Sequence, residues 1–132
     1  MSGFKNSFIG LITLFSILLS SLAFSQATFF TNLNVGGGDW DDPSAWLQSG
    51  FDTDGIPDAD DIVIIGSGAY ITVSNVDAAC DDLTIADDGS ITEVGIDAGL
   101  TLTVNGRLII VDSADFAEIL IVIDGTLNVL SV

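Results

Sequence analysis

The sequence of 132 residues contains no histidine, two basic side chains, one cysteine and two prolines. Without an imidazole there is no Ser-His-Asp or Cys-His nucleophile pair, no imidazole zinc site and no histidine general base working near neutral pH. With Lys5 and Arg107 as the only basic residues against 19 acidic ones, binding nucleic acid through a basic face is excluded. A partner that docks electrostatically must be cationic. A single cysteine, Cys80, forms no intramolecular disulfide, so burial of apolar side chains, helped by any bound metal, must hold the fold. Cys80 itself reads as a small buried residue at the start of an inward-facing strand.

What is present begins with a leader. Lys5 precedes the apolar run Phe8–Leu19, which is followed by Ser20, Ser21 and the small-residue pattern Ala23-Phe24-Ser25. This is the form of a secretory signal peptide over residues 1–25, cut before Gln26, and its apolar core is shorter than the roughly 20 residues a membrane span needs. Cleavage leaves Arg107 alone against all 19 carboxylates and leaves no membrane span. So acidic a chain repels itself unless cations screen it, a physical reason to look for calcium.

Both prolines and both tryptophans lie before residue 60, so residues 26–61 read as an irregular N-terminal cap and residues 62–132 as a patterned body. Eight short β-branched or Leu-rich runs punctuate that body: 62–65, 70–73, 83–85, 91–94, 100–104, 108–111, 119–123 and 127–130. The expected class is all-β. Only Asp112–Glu118 has any helical look, and it is too short to stand alone.

Leu83 to Leu100 and Ile91 to Leu108 are each 17 positions apart, Leu108 to Leu127 is 19, and related turns (Asp88-Gly89, Asn105-Gly106, Asp124-Gly125) precede three of the runs. The recurrence suggests a β-solenoid with aliphatic residues about 17 positions apart stacked in a column. The alternative is an antiparallel β-sandwich, because LTLTV-NG-RLIIV has the form of a two-residue hairpin.

The strings GGGDWDDPSAWL (36–47), GIPDADDIVII (55–65), YITVSNVDAACDDLTI (70–85) and GLTLTVNGRLIIV (99–111) resemble the opening of large bacterial surface β-helix proteins exported by the type IX secretion apparatus. They also resemble, more distantly, the cell-surface domain named for its eight glycines. The resemblance implies a right-handed parallel β-helix with an N-terminal cap, exported to the cell surface, and implies no reaction. The sequence ends at TLNVLSV without the sorting domain usual in that family, so a C-terminally truncated solenoid, with an end able to self-associate, is expected.

Asp52, Asp54, Asp58, Asp60 and Asp61 lie within ten residues, an oxygen density suited to calcium, which takes six to eight oxygen ligands. The plain alternative is a solvated acidic turn. Trp40 and Trp46 either stack on sugar rings as an exposed platform or, as the better reading, plug the open end of the solenoid. The pairs Asp81-Asp82 and Asp87-Asp88 do not suit acid–base glycoside chemistry, since neighbours in a strand point to opposite faces. The expectation is a non-catalytic secreted or cell-surface module with a structural or adhesin-like role. The alternatives are a calcium-dependent module binding carbohydrate or extracellular matrix, and the N-terminal part of a polysaccharide-degrading β-helix enzyme.

Overall fold

The computed structural model describes residues 26–66, 68–87, 89–112 and 118–131. The leader and most of the 112–118 segment lie outside the described residues. Among the described residues twelve strands follow one another: β1 (Thr28–Thr31), β2 (Gly37–Asp39), β3 (Trp46–Ser49), β4 (Ile62–Ile65), β5 (Tyr70–Val73), β6 (Ala78–Cys80), β7 (Leu83–Ala86), β8 (Thr92–Ile96), β9 (Thr101–Val104), β10 (Leu108–Val111), β11 (Ile119–Ile123) and β12 (Thr126–Val129). Among the described residues no helix is long and apolar enough to cross a membrane.

The strands form three sheets in the orders β10-β7-β4-β1-β3, β11-β8-β5-β2 and β12-β9-β6. From β4 onward the chain visits the three in turn and returns to each after three strands. Every pairing but β1 with β3 is parallel, so the antiparallel sandwich is not formed. Asn105-Gly106, which reads locally as a hairpin, joins β9 of the third sheet to β10 of the first and is a corner.

Strictly paired positions make the core. Phe29, Val63, Leu83 and Leu108 stack in the first sheet, Ile71, Val94 and Ile121 in the second, and Ala78, Leu102 and Leu127 in the third. All but the last member of each ladder are buried. The stacking interval from β4 onward is 20 to 27 positions, not 17. Leu83 and Leu100 sit two walls apart, as do Ile91 and Leu108: each wall takes three to five strand residues and a corner, so 17 positions cover two walls and a full circuit needs a third.

The segment 26–61 contributes β1 and β2 as the first rung of two sheets, and β3 folds back on β1 after a 3₁₀ turn at Pro43–Ala45 capped by Asp42, whose carboxylate accepts from Ser44 N. Gly37 runs so close to β5 that a Cβ there would collide with the Tyr70 backbone, and its φ of +106° suits glycine alone. Trp40 and Trp46 are 3% and 5% exposed. Their rings meet edge to face at 5.3 Å, and Phe29 meets Trp46 at 6.3 Å. The Trp46 indole donates to Trp40 O and the Trp40 indole to Pro57 O. Rings held this way offer no open face to a sugar, so the stacking platform expected of exposed indoles is not formed; the pair plugs the first rung.

Candidate metal centre

The loop between β3 and β4 is built from its own carboxylates. Asp52 Oδ2 accepts from Asp54 N and Gly55 N, Asp54 Oδ1 from Ile56 N, and Asp58 Oδ1 from Asp60 N, so each turn is closed by the aspartate that opens it. Long-range ties then fix the loop to the body. Pro57 O accepts from Trp40, Ala59 O from the Asn105 amide, and Ile56 packs against the core. Asp61 closes it: Oδ1 accepts from Ala27 N at 2.9 Å and Oδ2 from Asp58 N at 3.0 Å, with the residue 2% exposed.

These ties bring one carboxylate oxygen each of Asp52, Asp58 and Asp61 within 4.8 Å of one another, the one such group among the described residues, and one that can hold a metal ion. Asp54 and Asp60, also expected as ligands, fall outside it. Asp54 Oδ1 accepts from Ile56 N, and Asp60 is exposed with its side chain bonded to Asp58. The set is hard oxygen ligands throughout, which is the chemistry calcium prefers.

Crowding shows in the protonation of the group. The Asp58 carboxyl is pushed up to about 6, first by its hydrogen bond to the Asp60 side chain, then by burial and by the charges of Asp61 and Asp60. Asp61 is pushed up by burial and by the charges of Asp52 and Asp60, against the two backbone N–H groups it accepts. A carboxyl whose folded value lies above its ordinary 3.8 binds its proton more tightly folded than unfolded. Its contribution to stability is therefore full below about pH 4 and is lost as pH rises through about 6. In metal-free buffer the melting temperature is expected to fall between about pH 4 and 6, and Asp58→Asn to flatten that fall while leaving stability at pH 4 unchanged. Parallel melting curves of the two proteins across this range check it, and identical slopes would refute it.

The remaining candidates are engaged elsewhere. Arg107 stands over Asp82 because the register that stacks Leu108 on Leu83 also stacks the preceding residues, and its guanidinium meets the Asp82 carboxylate at 2.8 Å. That hydrogen bond holds Asp82 below the usual carboxylate range. Asp81 accepts from the Gln26 amide. Asp87 is buried, and Asp88 lies outside the described residues. Cys80 is wholly buried, and burial, with the charges of Asp81, Asp82 and Asp61, pushes its thiol up to about 12, away from the thiolate that reactivity requires. The anchoring of Asp61 by Ala27 N escaped the sequence reading, because nothing local links residues 34 positions apart. No family model, curated protein or solved structure matches the chain.

Proposed function

We propose that the chain is a right-handed parallel β-helix segment serving as a non-catalytic structural, adhesin-like module of an exported surface protein. The observation that carries this reading is the parallel pairing that recurs every third strand, which makes each circuit a platform for the next. The right hand follows from the strong preference of parallel crossover connections for it. Function in such a module lies in repeated geometry: a stiff wall on which surfaces are displayed. The leader and the resemblance to exported surface proteins support the destination. Single-molecule stretching from the two ends tests the mechanical role. The module is expected to unwind circuit by circuit, with length increments near 80 Å for about 25 residues at roughly 3.3 Å each. Release in one featureless step at low force would refute it.

A second reading is a calcium-dependent binding module, favoured by the convergence of Asp52, Asp58 and Asp61. Its affinity belongs to the weak extracellular range, about 10⁻⁴ to 10⁻³ M. Calorimetry with millimolar calcium is expected to show saturable heat that Asp52→Asn abolishes; no heat from the native protein would remove this reading. Binding to a glycan or matrix-protein array that a chelator abolishes would place the module's function in the acidic loop instead of in its walls.

A further inference from the structure

The three walls differ on their outward side. Inward, all three are aliphatic because they share one core. Outward, the third sheet stacks Ala79, Thr103 and Asn128, small or polar residues that water solvates. The five-stranded sheet instead stacks Leu47, Phe30, Ile64, Thr84 and Ile109, one from each strand. Leu47 is 52% and Phe30 41% exposed, while Ile64, Thr84 and Ile109 are half-buried.

Nothing in the fold requires this ladder. The core lies on the other side of the sheet, and the threonines of the third sheet satisfy strand propensity as well as isoleucine does. Five strands about 4.8 Å apart make it about 19 Å long, an apolar strip interrupted only at Thr84 on the outside of a highly charged molecule, and such strips mark docking surfaces. Its rim is acidic: Asp60 precedes β4, Asp81 precedes β7 and Asp112 follows β10. The one cation on this wall, Arg107, is paired with Asp82. A second copy would bring the same charge, 19 acidic residues against two basic ones, and be repelled.

We propose that the outer wall of the five-stranded sheet binds a cationic amphipathic protein segment, its apolar side on the Leu47–Phe30–Ile64–Ile109 ladder and its Lys or Arg side chains toward the acidic corners. A helix of about 13 residues matches the ladder's length at 1.5 Å per residue. This role goes beyond the structural one and does not depend on calcium.

The probe is a fluorescent peptide of about 14 residues containing only leucine and lysine, with leucines at i, i+3, i+4 and i+7, titrated with the purified protein and read by anisotropy. Saturable binding is expected, weakening at high salt as exposed charges are screened. The double variant Phe30→Ser/Ile64→Thr is expected to weaken it about tenfold or more, as loss of central apolar contacts does. Tyr70→Ser, on the outer wall of the second sheet, is expected to leave it unchanged. A peptide of the same composition with the leucines scrambled is expected to bind at least about tenfold more weakly. Equal binding of the scrambled peptide would reduce the interaction to charge, and unchanged binding by the double variant would place it elsewhere; either overturns the proposal. Should the double variant fail to fold, Leu47→Ser, on the edge strand β3, gives the same reading.

Discussion

Trp40→Ala is expected to destabilise the protein by about 3–5 kcal/mol, the usual cost of emptying a large aromatic site in a packed core. The indole is 3% exposed, lies edge to face on Trp46 and holds Pro57 O with its N–H. Truncation therefore removes three things together: the apolar plug of the first rung, the ring contact that orients Trp46, and one of the ties that fix the acidic loop. Trp40→Phe keeps the plug but leaves Pro57 O without its donor, and is expected to cost about 1–3 kcal/mol, the penalty for one lost buried partner. Tyr70→Ala, at an outward position 48% exposed, serves as the control, within about 0.5 kcal/mol of the native protein. Urea unfolding followed by far-ultraviolet circular dichroism measures all three. A Trp40→Ala variant as stable as the Tyr70→Ala control would mean that the indoles do not close the stack.

The positions of most body strands were legible because Ile, Val, Leu and Thr leave little else to form: Ile62–Ile65, Tyr70–Val73, Leu108–Val111 and Ile119–Ile123 are strands with the bounds their composition implies. The strand Ala78–Cys80 was legible only through Cys80, read as the buried start of an inward strand that it in fact ends; Ala-Ala-Cys carries weak strand preference and becomes a rung only through Leu102 and Val104. Strand partners were less legible still. Similar Gly-containing turns stand at different corners, before β8, β10 and β12, so equal spacing between turns does not reveal how many walls separate them. The burial of the indoles could be read from their place in a proline-containing cap. The acidic loop was legible as a group of oxygen ligands but not as a selection of three, because that selection depends on long-range ties, Trp40 to Pro57 O, Asn105 to Ala59 O and Ala27 N to Asp61, that set where each turn of the loop sits. Asp54 and Asp52 are equally acidic in the sequence and each closes its own turn; only the fold brings an Asp52 oxygen beside those of Asp58 and Asp61.

Asp61→Ala is expected to cost about 2–6 kcal/mol, because it strands two backbone donors, Ala27 N and Asp58 N, at about 1–3 kcal/mol each. Those donors come from opposite sides of the cap: Ala27 leads into β1, and Asp58 belongs to the loop that returns to β4. The Asp61 backbone adds to the junction, its N–H donating to Asp58 O and its carbonyl accepting from Asp81 N, so the chain there is held even without the side chain. What the carboxylate supplies is the join between the first strand and the loop. Asp61→Asn keeps one acceptor and removes a charge disfavoured by burial and by Asp52 and Asp60, so it is expected to lie between the native protein and the alanine variant. Calcium separates the structural role from the ligand role. Asp52→Asn should lose calcium heat in calorimetry with a small change in melting temperature, whereas Asp61→Ala should lose both, since the loop that gathers the oxygens is no longer held. If Asp61→Ala melts as Asp54→Ala does, at an exposed site whose side chain accepts only from Ile56 N, the carboxylate is not the clasp of the cap and the convergence of the three oxygens has no structural cause.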